Sequence, residues 1–359
     1  MAVPPTLPAT RTALVIDRET PPGQFRVAKL PMPECGDDEL LVEVHACGIN
    51  ALDWFISGAI QRVPAFMRQD PGYVPGKDIS GVVIAVGSRA AGYRPGDAIF
   101  GLTGLTLGPG MVTQLGGDGS SRGGFASHTT IKAAVAAPKP ASLTHVQAAG
   151  IPLAGLTAWK AVVETAKLRE GGKVLILGGA GGVGTLATQL AKRYCKAGTV
   201  AVTCSAASKE LASSCGADLA IDYKSENFEE VLKGGDFDSV IDAVGTNDKF
   251  QRAAAVLKPD SGMLVDLVGP PSIGYLGTNK DSLLKFALQG FKYGASVRHQ
   301  IVGVEANGPA LRTMGRLLEE GTLKPVVDRV FQGLSEVQAA LDYNKSGAAH
   351  GKLVVSLKE

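Results

Sequence analysis

Apolar positions change rhythm near residue 143. Before it, glycine and proline cut the sequence into short hydrophobic and β-branched pieces at 13–16, 39–46, 81–86, 98–100 and 125–131, a texture that predicts strands and few helices. After it, apolar runs alternate with amphipathic stretches. The pattern predicts strands at 174–177, 199–203, 219–221, 239–242 and 262–268, separated by helices at 184–196, 209–215, 228–232 and 249–256. Such alternation is the mark of a doubly wound parallel α/β sheet. Around the first helix Val183, Leu186, Ala187, Leu190, Ala191 and Tyr194 fall on one stripe that would pack on the sheet, and Gln189, Lys192 and Arg193 are expected to face away. The remainder reads helix 282–291, strand 301–304, helix 310–320, strand 326–330, helix 335–343 and strand 353–357. Residues 104–124 hold eight glycines in 21 residues with no apolar periodicity and read as a surface loop, placed where it could also close over a substrate.

A length of 359 residues, at about 150 per domain, predicts two domains. Hydrophobic residues make up 45% of the chain, enough for a large core, which excludes disorder as a general description. The 36 Lys and Arg against 34 Asp and Glu are scattered without basic blocks, so nothing points to nucleic acid. Cys35, Cys47, Cys195, Cys204 and Cys215 are odd in number and form no C-x-x-C pair. Separate reduced thiols follow, and with them a cytoplasmic setting. The uncharged run 174–191 is diluted by five glycines, so no membrane span is expected. Residues 1–12, with Pro4, Pro5 and Pro8, read as a loose arm; a mitochondrial address would need an Arg-rich amphipathic helix that is not visible there.

The strand ending at Leu177 runs directly into Gly178-Gly-Ala-Gly-Gly-Val-Gly184, in which Gly179, Gly181 and Gly184 satisfy G-x-G-x-x-G just as a helix opens. In that context the glycines have separate tasks: Gly179 for the tight turn, Gly181 for close approach of a pyrophosphate, Gly184 for close helix packing, with unpaired helix N–H groups offered to phosphate. NAD sites place a carboxylate at the end of the second strand to bind the ribose 2′-hydroxyl. Here that corner reads Thr203, Cys204 and Ser205, with Lys209 following. A hydroxyl and a cation without an acid suit a 2′-phosphate, which favours NADPH.

These residues, with Gly48-Ile-Asn50 and Asp53, the run Pro75-Gly-Lys-Asp-Ile-Ser-Gly-Val-Val83, Pro95-Gly-Asp97, the run from Ala148 to Trp159, Gly216-Ala-Asp218 and Gly351-Lys352, resemble the medium-chain dehydrogenase/reductase superfamily in its zinc-independent quinone-oxidoreductase branch. The resemblance implies a GroES-like β-rich domain over 1–138, completed by 306–359, and a Rossmann NADPH-binding domain over 139–305. It implies that Gly182 and Val183 touch the pyrophosphate, that Ser205, Lys209 and Tyr223 surround the 2′-phosphate, and that Val244, Leu267 and Val268 line the nicotinamide side, with Thr157 near its ribose. Zinc-dependent relatives carry metal ligands where this chain has Asn50, Lys77 and Leu153, and an amide, an ammonium and an alkyl group cannot form the N/S shell of catalytic zinc. No metal is expected.

Reduction is therefore favoured over alcohol oxidation: hydride from NADPH to a small electrophile, a quinone or an activated alkene, with Asn50 and Thr157 as candidate donors to the developing oxyanion and Lys77 as a candidate cation beside it. A homodimer is left open. The rival readings are a non-catalytic NADPH-binding sensor or structural protein, and a trans-acting enoyl reductase partner of a polyketide synthase.

Overall fold

A computed structural model describes residues 7–21, 23–62, 64–68, 72–103, 122–245, 248–268, 297–304 and 307–358. The expected helix 282–291 and most of the glycine-rich loop 104–124 lie outside the described residues. The β-rich part runs β1 (Thr10–Val15), β2 (Arg26–Pro31), β3 (Glu39–Ile49), α1 (Ala51–Gln61), β4 (Asp78–Val86), β5 (Ala98–Leu102), β6 (His128–Lys132) and β7 (Ala136–Pro138). One expectation is corrected here: residues 10–12, read as part of a loose arm, already belong to a strand paired antiparallel with β2. Helices are few in this part, as expected, and α1 is one to which the sequence pattern assigned no range.

Two helices follow, α2 (His145–Ala149), opened by a Thr144–Gln147 capping box, and α3 (Pro152–Trp159), opened by proline at its first turn. The alternating part then runs β8 (Lys173–Leu177), α4 (Gly182–Gln189), β9 (Thr199–Cys204), α5 (Lys209–Cys215), β10 (Leu219–Asp222), α6 (Phe228–Val231), β11 (Ser239–Asp242), α7 (Lys249–Ala254), β12 (Met263–Asp266) and β13 (Arg298–Ile301). The final strand falls earlier than the 301–304 run chosen for its hydropathy, because parallel pairing with β12 sets its register from Arg298. Closing the chain are α8 (Gly308–Glu319), β14 (Val327–Gln332), α9 (Val337–Lys345) and β15 (Lys352–Ser356).

The six parallel strands order as β10-β9-β8-β11-β12-β13, reversing direction of winding between β8 and β11. Ligands of doubly wound sheets sit at that reversal, beyond the carboxyl ends of the strands. Val174 and Ile176 enter one apolar cluster, while Leu175 and Leu177 enter the cluster on the opposite face. Burial on both faces is why this strand reads as an unbroken apolar run. The other large sheet orders β14-β15-β3-β4-β5-β7, with β6 also paired to β3. Its β15 lies antiparallel to β3, Val354 opposite Gly48, so residues some three hundred positions apart in sequence share one ladder. Phe100 and Leu102 of β5 share a core with Leu153 and Leu156 of α3, Leu186 of α4 and Met314 of α8, which locks the two sheets' helices together.

The stripe on α4 is partly as expected. Leu186, Ala187, Leu190 and Ala191 are buried, whereas Tyr194 stays partly exposed against Trp159. Gln189 does not face solvent. It is buried, donating to the Thr185 and Lys324 carbonyls and accepting from the Lys324 amide, so the polar residue pins the chain after α8 to this helix. The five cysteines are free thiols. Among the described residues no helix is long and apolar enough to cross a membrane.

Candidate active site

The glycine loop is built as its sequence demands, with one change of duty. The left-handed turn falls on Gly178, φ 82°, whose amide donates to the Thr203 hydroxyl, rather than on Gly179. A Cβ on Gly179 would stand 2.4 Å from Val202 of β9, and one on Gly184 only 2.1 Å from the Gly178 carbonyl oxygen. Both are packing glycines. Gly181 differs: its nearest neighbour would be 3.5 Å away, so the space in front of its backbone is open. That open cradle at the start of α4, beside Gly182 and Val183, fits a dinucleotide pyrophosphate.

At the end of β9 the Ser205 and Ser208 hydroxyls are 2.8 Å apart. The Lys209 ammonium lies 2.9 Å from Glu226, whose same oxygen accepts the Asp222 amide. That pairing raises the Lys209 pKa. Glu226 is a carboxylate the linear reading missed, since it arrives from beyond the next strand. Tyr223 is 61% exposed beside this corner, with the Lys224 ammonium 5.9 Å from the centre of its ring. Further along the sheet, Val244 follows β11 and approaches Gly178, while Leu267 and Val268 follow β12, Val268 facing Gly245.

Across from the loop, the end of β3 and the start of β4 bring buried polar groups together. Asn50 donates to Asp78 Oδ2 at 2.9 Å and accepts from the Lys352 ammonium at 2.6 Å. Lys352 also donates to the Ile49 carbonyl at 2.8 Å and to Asp78 Oδ2 at 3.2 Å. The other Asp78 oxygen accepts the Leu153 amide at 2.7 Å, fixing the first turn of α3. Burial pushes the Asp78 carboxyl up, with Lys352 and Asn50 opposing it. The stem of Lys352 covers Gly182, and Gly351 bridges to Gly181, so the tail ties this network to the dinucleotide loop.

Asp53 lies at the same centre, fully buried, accepting from the Asn50 amide at 2.8 Å and the Gly76 amide at 3.2 Å. Burial pushes its pKa up to about 7 despite those bonds. The Lys77 ammonium is buried, 5.7 Å from the centre of the Tyr73 ring, and burial lowers its pKa against the attraction of Asp53. The Tyr73 hydroxyl is buried with no hydrogen-bond partner among the described residues, and its pKa is raised by desolvation. Thr157 sits one turn into α3, its hydroxyl donating to the Leu153 carbonyl at 2.7 Å.

The structure thus changes the duties expected of two residues. Both Asn50 and Thr157 send their hydrogens to protein oxygens, Asp78 and Leu153, so neither presents a spare donor to an oxyanion. They hold the wall together, and Lys77 is the predicted cation that faces the aromatic side of the centre. Lys352, Asp78 and Tyr73 were missed as functional candidates. A signal existed for the first two in the runs Gly351-Lys352 and Pro75 to Val83, but only folding shows that they meet. Zinc does not fit here. The Leu153 backbone N–H already donates to Asp78, Asn50 offers an amide rather than an N/S ligand, and the Lys352 ammonium already sits on the oxygens of Asn50 and Asp78. Among the described residues no three His, Cys, Asp or Glu side chains gather as a metal shell.

A β-rich unit closed onto a doubly wound sheet, with a buried polar centre facing a glycine-rich phosphate loop, defines the two-part nucleotide-dependent oxidoreductases. The pattern of the alcohol dehydrogenase GroES-like domain matches residues 36–141, and that of the zinc-binding dehydrogenase family matches 215–355. The chain is 34% identical over 344 residues to the 2-methylene-furan-3-one reductase of Solanum lycopersicum, covering 93% of this chain and 76% of that protein. It is also 34% identical to the chloroplastic NADPH-dependent alkenal/one oxidoreductase of Arabidopsis thaliana, covering 91% and 74%. A quinone oxidoreductase from Coxiella burnetii superposes with a TM-score of 0.76 at 28% identity, over 97% of this chain and 100% of that one. The chain belongs to the medium-chain dehydrogenase/reductase family.

Proposed function

We propose that the protein is an NADPH-dependent reductase of quinones or activated alkenes, such as enones, enals or enoyl thioesters, acting without zinc. The observation that carries this reading is Lys352, which joins the Asn50–Asp78 centre to the open glycine loop and so sets a buried polar wall against a dinucleotide cradle. The relatives named as reductases of a methylene-furanone and of alkenals and alkenones support the same chemistry.

Bound NADPH would supply hydride. The chain's own part is to hold and polarise. Gly181, Gly182 and Val183 would present backbone to the pyrophosphate, and Ser205, Lys209 and Tyr223 would surround the 2′-phosphate. Val244, Leu267 and Val268 would form the apolar side of the nicotinamide pocket. The Lys77 ammonium would stabilise negative charge growing on the acceptor oxygen, an effect strengthened where water is excluded. Asp78, Asn50 and Lys352 would keep the wall carrying it in place.

The test mixes the protein with NADPH and a panel of quinones, enals, enones and enoyl-CoA esters while following nicotinamide absorbance. Oxidation with at least one conjugated acceptor, and none with simple alcohols plus NADP+, is expected. Tight NADPH binding with no oxidation across the panel would replace the reductase by a non-catalytic NADPH-binding protein.

A further inference from the structure

At the carboxyl ends of β11 and β12, Asp242 and Asp266 are register partners, and Lys249 at the start of α7 reaches both. Its ammonium is 2.9 Å from Asp266 and 3.4 Å from Asp242, and all three side chains are 0–1% exposed. The carboxylates use their other oxygens on backbone. Asp242 accepts the amides of Val244 and Gly245, each at 2.9 Å, and Asp266 accepts the amide of Val268 at 3.0 Å. The two turns also pack on each other and on the glycine loop, Val268 against Gly245 and Val244 against Gly178. His299 comes within 3.4 Å of Asp266 and meets Phe250 edge-on. Apolar side chains of similar volume would fill such a place at lower desolvation cost, so a buried ionic cluster is weak evidence for stability. What it does supply is direction: three backbone amides held at fixed angles.

We propose that Asp242, Lys249 and Asp266 are a positioning triad that fixes the turns 243–245 and 267–268 against the nicotinamide end of the cofactor. The proposal rests on the reading of Val244, Leu267 and Val268 as the nicotinamide wall. Lys249 stands with its positive charge between two carboxylates on adjacent strands. Without it the like charges repel across the strand pair, a carboxylate turns away, and the amides it held are released. The adenosine end, bound at the far side of the sheet beside Ser205 and Lys209, does not depend on the triad.

The experiment uses the full chain and two probes. Anisotropy of bound NADPH fluorescence reports how firmly the reduced nicotinamide is held, and calorimetry with 2′,5′-ADP reports the adenosine end alone. For Lys249→Met the nicotinamide anisotropy should fall towards that of a loosely held ring. The 2′,5′-ADP affinity should stay within about twofold, and kcat with the best acceptor should drop on the order of tenfold or more. With deuterium in the transferred position, the isotope effect on kcat should rise as hydride transfer becomes limiting. Lys249→Arg should restore most of the loss. Should Lys249→Met fail to fold, Asp242→Asn keeps an oxygen for the Val244 and Gly245 amides while removing the charge, and a smaller change in the same direction is expected. A folded variant with wild-type anisotropy and turnover overturns the triad and leaves the reductase reading intact, as does one that loses 2′,5′-ADP and NADPH affinity in equal proportion. A wild-type protein that binds no NADPH overturns both.

Discussion

Among single residues, Lys77 and Lys209 are two cations with opposite environments. Lys77 is buried, and burial lowers its pKa, so its charge costs energy to keep and acts through little screening water. If it stabilises the acceptor oxygen in the transition state, Lys77→Met lowers kcat and kcat/KM together by about 10²-fold and leaves the NADPH dissociation constant nearly unchanged. Steady-state kinetics with the best acceptor, beside direct NADPH titration, checks this; wild-type turnover in the variant would remove Lys77 from the chemistry. Lys209 sits at the surface and shares its ammonium with Glu226. A dianionic 2′-phosphate there gains charge-assisted bonds from Lys209 and Ser205 but must approach Glu226 as well. A preference for NADPH over NADH of about tenfold is expected, narrowing in Lys209→Ala. Equal binding of both cofactors by the unmutated protein would sink that assignment.

On the scale of elements, the join between β8 and α4 shows how glycines of one motif divide their work. A Cβ at position 184 would collide with backbone, the Gly178 carbonyl at 2.1 Å, which cannot move aside as a side chain can. Gly184→Ala should therefore cost about 1–3 kcal/mol of stability, seen as a lower urea midpoint. At position 181 a methyl group would meet nothing closer than 3.5 Å, and the backbone there is extended at φ −78°. Gly181→Ala should melt like the parent yet bind NADPH on the order of tenfold more weakly, because the methyl group enters the space left for phosphate. Melting curves and cofactor titrations on the pair separate packing from binding. Equal behaviour of the two variants would contradict this division.

The whole molecule feels the buried centre through pH. Asp53 has a native pKa of about 7 against an ordinary 3.8, so between those values the folded chain keeps a proton that the unfolded chain releases. Stability contributed by this group is full below about pH 4 and is lost as pH rises towards 7. Asp53→Asn removes that slope while retaining an acceptor for one of the two amides. Urea unfolding of wild type and variant at several pH values should show the difference between them moving in favour of the variant as pH rises from about 4 to about 7. A difference constant over that range would mean that Asp53 is already ionised in the fold.

The sequence by itself determined the parallel sheet, the order of its helices and the phosphate loop, because these depend on local apolar periodicity and on glycine geometry read within a few residues. It also argues against a zinc shell, since at the positions where zinc-dependent relatives hold the metal Asn50, Lys77 and Leu153 carry the wrong donors. Features whose signal is ambiguous over a short window came out differently: residues 10–12, which extend the expected strand back towards a proline-rich start, and Gln189, polar by type and buried by its partners. The centre of the site belongs to tertiary structure alone. Lys352 reaches Asn50 because β15 pairs with β3 across three hundred residues of chain. Lys249 stands between Asp242 and Asp266 because parallel register places those carboxylates side by side. Hydrogen bonds between residues far apart in sequence leave no periodic trace, and only the closed sheets decide which buried charges meet.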